Sequence, residues 1–221
     1  MLGYNHKRGS HAELVAVPAD QVIAKPGGLP WEVAGALFVA GTTAHALVDA
    51  VNAGPGDLVV VSAAAGGVGS LTVQWARLRG ASVIGLAGPV SHDWLRSRGV
   101  EPVDYHGDEL AERILTIGRP TALIDSFGAP YPQLGIDLGI EPGRVATVVA
   151  SSDPAAIGAR LVYHHDTADA AMLAESAAAA AAAADGRLDV PIAATYPLDQ
   201  VRAAFDELAE GHTRGKIVLI P

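Results

Sequence analysis

Asp57 to Gly80 reads DLVVVSAAAGGVGSLTVQWARLRG, and the order of its parts decides the fold. Leu58 to Val61, LVVV, is a short β-branched run of the fully buried kind that parallel sheets use. Gly66, Gly67 and Gly69 follow, and Val68, Leu71, Trp75 and Leu78 then recur at helical spacing up to Gly80, a residue suited to a left-handed helix stop. Ser82 to Leu86, SVIGL, supplies a second buried strand. Strand, glycine turn, helix and strand at this spacing form one βαβ unit. Glycines in such a turn let the backbone approach a diphosphate, and the N–H groups at the helix start face the anion. The segment is therefore expected to hold a dinucleotide.

Outward from this unit the alternation continues. Thr121 to Asp125 (TALID), Arg144 to Val149 (RVATVV) and Arg160 to Tyr163 (RLVY) read as further strands, and Lys216 to Ile220 as a terminal one. Ala168 to Ala184, with its run of Ala, is a helix by propensity and stops at Asp185-Gly186. Leu198, Val201, Phe205 and Leu208 mark an amphipathic helix closed by Gly211. The first 56 residues differ in texture. His11 to Val17 alternates like an exposed strand, Pro18, Pro26 and Pro30 punctuate the path to a helical segment from Trp31 onward, and Asn52 to Asp57 is a turn. The expected fold is α/β, an open doubly wound parallel sheet of Rossmann type with its ligand at the carboxyl ends of the strands.

Composition narrows the function classes. With 15 Lys and Arg against 24 Asp and Glu the 221-residue chain carries a formal charge of −9, and its cations are scattered, which excludes a phosphate-tracking nucleic-acid surface. Half the residues are apolar, enough for a sizeable core. There is no cysteine, hence no disulfide, thiolate zinc site or Cys nucleophile. The amino terminus lacks the apolar stretch of a signal peptide, and the segment Val33 to Val51 is interrupted by Thr42, Thr43, His45 and Asp49, so no membrane partner and a cytoplasmic location are expected. None of the eight histidines forms a helical pair with an adjacent acid, and His164 and His165 would point to opposite faces of a strand end; no metal site is expected.

The turn after the second strand separates the two nicotinamide coenzymes, because a carboxylate there accepts from the ribose diol and repels a 2′-phosphate. Here it reads Gly88-Pro89-Val90-Ser91-His92, with no carboxylate before Asp93, while Ser91, His92, Arg96 and Tyr105 offer donors. NADP is favoured over NAD. The competing reading is that Ser91 and Asp93 cap a helix beginning near Trp94.

AAAGGVG, VQWA, HDWLRSRGVEPVDY, IDSFG and the closing YPLDQVRAAFDELAEGHTRGKIVLIP, together with GSHAELVAVPADQVIAKPGGL and VAGTTAHAL, resemble a zinc-independent medium-chain dehydrogenase/reductase of the quinone oxidoreductase type. The resemblance runs from Gly9 to Pro221. It implies that Thr42, Gly66, Gly67 and Val68 lie along the pyrophosphate, that Gly88, Ser91, His92 and Tyr105 surround the adenosine phosphate, that Ser126, Phe127, Ala150 and Ser151 line the nicotinamide side, and that Lys216 approaches the coenzyme. His92 replaces the more usual Lys or Asn. The resemblance also implies an amino-terminal GroES-like substrate lobe, of which residues 1–24 and 187–221 would be a remnant formed by both termini, with residues 25–186 as the dinucleotide-binding domain.

Three functions follow as expectations. The chain is an NADPH-dependent reductase of a small molecule (a quinone, enone or enoyl thioester) whose truncated cleft is completed by oligomerisation, or a non-catalytic cofactor-binding or interaction module, or a non-redox isomerase, dehydratase or cyclase using the same cleft. Such relatives also occur as enoylreductase domains of polyketide synthases. His45, one helical turn beyond Thr42, and Tyr4 and Asn5 are the candidate catalytic residues. Unpaired edges at His11 to Val17 and Lys216 to Ile220 point to a homodimer or larger assembly.

Overall fold

The computed structural model describes residues 1–3, 10–150, 153–162 and 170–221. In chain order it runs β1 (Leu2–Gly3), β2 (Val22–Ile23), α1 (Trp31–Ala50), β3 (Leu58–Val61), α2 (Gly69–Leu78), β4 (Ser82–Leu86), α3 (His92–Ser97) and β5 (Glu101–Val103). There follow α4 (Leu110–Ile117), β6 (Ala122–Asp125), α5 (Tyr131–Asp137), β7 (Val145–Thr147), β8 (Arg160–Leu161), α6 (Ala170–Ala184), β9 (Ile192–Pro197), α7 (Val201–Glu210) and β10 (Lys216–Ile220). Two compact units result, one of residues 1–42 and 164–221, the other of residues 43–163.

The second unit contains a six-stranded sheet in the order β5-β4-β3-β6-β7-β8, and every pairing is parallel. This is the doubly wound arrangement expected from the sequence, with its reversal between β3 and β6. The LVVV run shows why the strands read as continuously apolar. Val59 and Val61 pack with Leu47, Val48, Val73 and Leu95 from α1, α2 and α3, whereas Val60 packs on the other side with Ile114, Leu123 and Tyr131 near α4 and α5. Alternate side chains enter two cores, so no position faces water. Gly80 and Gly99 end their helices at φ +88° and +70°, as left-handed stops do.

The other unit carries both termini. β1 pairs antiparallel with β2, and β10 pairs in parallel with β9, irregularly between Lys216 and Ile217. The alanine run of α6 has a packing reason: a Cβ on Gly41 would come within 3.2 Å of the Ala179 methyl, so α1 and α6 approach closely only because both present small side chains.

Some expectations are corrected. His11 to Val17 is not a strand, because no neighbouring segment among the described residues offers it a ladder; the strand near the amino terminus is Leu2–Gly3 on Val22–Ile23. The terminal strand does not lack a neighbour, since β9, unrecognised in the sequence, lies beside it. β5, α4 and α5 were likewise not anticipated; β5 contains Pro102, which the edge of a sheet tolerates. α1 is, by length and composition, the one helix among the described residues able to span a bilayer, yet Ala34, Leu37, Ala40, Ala44, Leu47 and Val48 are buried within the fold.

Candidate functional site

In the second unit the carboxyl ends of β3 and β6 lie side by side at the reversal of strand order, where open α/β sheets take their ligands. β3 leaves through Ser62 and Ala63, the latter at φ +46°, a left-handed value uncommon without glycine. The turn is tight. A Cβ on Gly69 would sit 2.1 Å from the Ala63 carbonyl oxygen, and one on Gly66 would sit 3.2 Å from the same atom. The amides on either side are used: Ala64 donates to the Leu86 carbonyl, Gly66 to Ala63 and Ser70 to Gly66. Among the described residues nothing accepts from the amides of Gly67, Val68 or Gly69, which form the entry to α2. Three unpaired donors at a helix start make a cradle for an anion.

Of the residues expected around an adenosine phosphate, Gly88, Ser91, His92 and Tyr105 share one corner, at the ends of β4 and β5, whereas Arg96, at the far end of α3, lies with Glu101 at the amino ends of the strands. An ideal Cβ on Gly88 would meet His106 at 3.8 Å and Tyr105 at 4.0 Å, and the rings of Tyr105 and His106 have centroids 4.1 Å apart. The Ser91 amide donates to Gly88, and His92 Nε2 contacts the Ala87 carbonyl at 3.0 Å. Ser91 precedes α3 but makes no side-chain cap, so the capping reading fails for its hydroxyl. Asp93 is wholly exposed and paired with Arg96 at 3.1 Å. The amide of His106, then its ring at 2.6 Å, hold the Asp104 carboxyl below the usual carboxylate range. Arg113 closes the corner by donating to the carbonyls of Asp104 and His106. His106, Asp104 and Arg113 were not read from the sequence as ligand-side residues, because nothing in their spacing marks the fold of the loop around Gly88.

Ser126 and Phe127 follow β6 directly. The Ser126 amide donates to the Ser62 hydroxyl and the Phe127 amide to Asp125 Oδ1. Phe127 is 66% exposed and meets Tyr131 edge-on at 5.8 Å. Burial, with Tyr105 and Asp125 nearby, raises the Tyr131 phenol above its ordinary pKa. Ala150 lies just beyond β7 and is exposed; Ser151 lies outside the described residues, as do Tyr4, Asn5, His164 and His165. His45, on α1, pairs with Asp49 at 3.3 Å, contacts Arg79 at 3.3 Å and packs edge-on against Trp75.

In the other unit, the buried Thr42 hydroxyl donates to the Phe38 carbonyl at 2.9 Å. Lys216 sits on β10, where burial lowers its amine below the ordinary lysine value. A groove of about 680 Å3, lined by Gly56, Arg77, Arg96 and Glu101, lies at the amino ends of the strands, opposite the glycine turn. With no cysteine, the chain offers zinc no thiolate ligand.

A family model described as zinc-binding dehydrogenase matches residues 99–219. The chain is 27% identical to the quinone oxidoreductase of Pseudomonas aeruginosa, over 96% of its own length and 72% of the relative's. Its fold is similar to that of the quinone oxidoreductase from Coxiella burnetii, with a TM-score of 0.80 at 26% identity, covering 91% of this chain and 64% of that one. It is also similar to a mycobacterial protein solved in complex with NADPH, with a TM-score of 0.76 at 26% identity, covering 96% of this chain and 72% of the other. The chain thus spans roughly two thirds of these relatives. With the glycine turn, the parallel sheet and these likenesses in agreement, the chain belongs to the zinc-binding dehydrogenase family, among the quinone oxidoreductase-like medium-chain dehydrogenases/reductases.

Proposed function

We propose that the chain carries the coenzyme site of an NADPH-dependent reductase acting on a quinone, enone or enoyl thioester. The observation that carries this reading is the row of unpaired amides at Gly67, Val68 and Gly69, beside a turn too close for a side chain at Gly69. In this proposal those amides and Thr42 receive the diphosphate, and Gly66 lets the backbone approach it. Ser91, His92 and Tyr105, with Gly88 leaving them room, receive the adenosine phosphate, and His106 adds a further ring there. Ser126, Phe127, Ala150 and Ser151 line the nicotinamide side, with Lys216 approaching the coenzyme. NADPH rather than NADH is favoured by the absence of a carboxylate between Leu86 and Asp93, and by Asp104 being engaged by His106.

Bound coenzyme supplies a hydride for the electrophilic carbon of the substrate. The chain's own part is to fix that carbon's neighbour, shield it from water with the Phe127 ring, and deliver a proton. His45, Tyr4 and Asn5 are the proposed proton carriers, and His45 is the one whose surroundings are described, with Arg79 at 3.3 Å from Nε2 and the Asp49 carboxylate at 3.3 Å from Nδ1. The chemistry is proposed to be independent of zinc. Residues 1–24 and 187–221 are assigned to the substrate lobe and residues 25–186 to the coenzyme domain, the remaining substrate contacts coming from a second copy. The buried side chains of α1 support a protein without a membrane partner, and we assign it to the cytoplasm.

A second reading is a coenzyme-binding module without turnover, with the same amide cradle at Gly67, Val68 and Gly69. Calorimetric titration with NADPH and with NADH, followed by turnover of a simple quinone, tests both. Tighter NADPH binding with quinone reduction is expected. Binding without turnover would favour the module, and tighter NADH binding would overturn the phosphate corner.

A further inference from the structure

Asp125 ends β6 and is fully buried. Its Oδ1 accepts from the Ser62 hydroxyl at 2.5 Å and from the amides of Phe127 at 3.0 Å and Gly128 at 3.1 Å. Its Oδ2 accepts from the Thr147 hydroxyl at 2.7 Å and again from Gly128 at 3.0 Å. Both hydroxyls also accept: Ser62 from the Ser126 amide at 2.9 Å, Thr147 from the Val149 amide at 3.0 Å. Every donor lies at or just beyond the carboxyl end of β3, β6 or β7, the place where strand order reverses.

Holding three strands together does not require this. The same strands are tied at their amino ends by Asp57, which accepts from Thr121 at 2.8 Å and Arg144 at 2.6 Å, and apolar side chains would serve at the other end with no polar group to satisfy. What the Asp125 carboxyl does that an apolar residue cannot is to fix the amides of Phe127 and Gly128 directly and that of Ser126 through Ser62. It thereby sets the direction of the loop that carries the exposed Phe127 ring. The Ser126 hydroxyl, in that loop, is buried with no partner among the described residues and so has a donor and lone pairs to give a ligand.

We propose that Asp125, acting through Ser62 and Thr147, is a positioning residue for the nicotinamide half of the coenzyme. The inference rests on the coenzyme reading above. Its hydrogen bonds set Ser126 and Phe127 in place before binding and do not reach the adenosine corner, so the two halves of the ligand answer differently to its loss.

The test measures affinity for NADPH and for adenosine 2′,5′-bisphosphate, which lacks the nicotinamide half, in the full chain and in Asp125→Asn. Asn keeps the shape but turns an NH2 toward a donor. The expected result is NADPH binding weakened about tenfold with the bisphosphate unchanged within about twofold, the size of one buried hydrogen bond misplaced. Ser62→Ala, which removes one hydroxyl and frees the Ser126 amide, is expected to give the same split at smaller size, and it decides the matter if Asp125→Asn fails to fold. Equal losses for both ligands, or none for NADPH, would overturn the positioning role while leaving the coenzyme reading intact. A wild-type chain that binds neither ligand would overturn that reading, and the inference with it.

Discussion

Gly69 is the residue on which the glycine turn depends most. A methyl there would lie 2.1 Å from the Ala63 carbonyl oxygen, which is backbone and has little room to yield. Gly69→Ala is expected to cost about 2–3 kcal/mol in stability, as overpacking at a rigid site does, read as a fall in the denaturation midpoint, and to abolish dinucleotide binding. A variant with wild-type midpoint and affinity would show that the turn is looser than its contacts indicate. Lys216 gives the second prediction at this scale. Burial lowers its pKa, so the folded state disfavours the charged amine and the group opposes folding below its folded pKa. Lys216→Met is expected to raise the melting temperature at neutral pH, with the gain fading as pH rises toward the ordinary lysine value. A gain that is constant up to alkaline pH would contradict this.

At the scale of elements, β3, β6 and β7 are bound by one carboxyl at each end, Asp57 before β3 and Asp125 after β6. Burial acts to raise the Asp57 pKa, but the Thr121 hydroxyl, the Gly54 amide and the Arg144 guanidinium outweigh it and bring the group below its ordinary value. A depressed carboxyl pKa contributes stability above the unfolded value, lost as pH falls through the folded one. Asp57→Asn is therefore expected to cost about 1–2 kcal/mol at pH 7, with the difference from wild type closing in acid below the unfolded-state value of 3.8. A difference equally large in strong acid would refute the pairing. The strands themselves were legible because a buried parallel strand announces itself in four or five consecutive residues, as Leu58–Val61 and Ser82–Leu86 do. The polar ties were not, since Ser62 and Asp125 stand 63 residues apart and no local spacing joins them. His11 to Val17 failed for the converse reason: its alternation is local, but a strand needs a partner, and the partner cannot be read from the segment alone.

For the whole molecule, the glycine turn, the reversal of strand order and the donors around Gly88 converge on one end of the sheet, and the sequence already placed the first of these. It did not reveal the corner made by Asp104, His106 and Arg113, which exists only because the loop after β5 folds back beside Gly88. Assembly belongs to this scale as well. Light scattering at micromolar concentration is expected to give at least twice the chain mass of 22.5 kDa, and a mass of one chain would contradict the proposed completion of the substrate site by a second copy. The central claim, that unpaired amides at the entry to α2 hold a diphosphate, is tested most directly by following backbone amide resonances during titration with NADPH. The account predicts saturable shifts largest at Gly67, Val68 and Gly69, smaller ones near Gly88, and none at Gly54 beside Asp57. Shifts centred on the amino ends of the strands, with Gly67 to Gly69 unmoved, would contradict it.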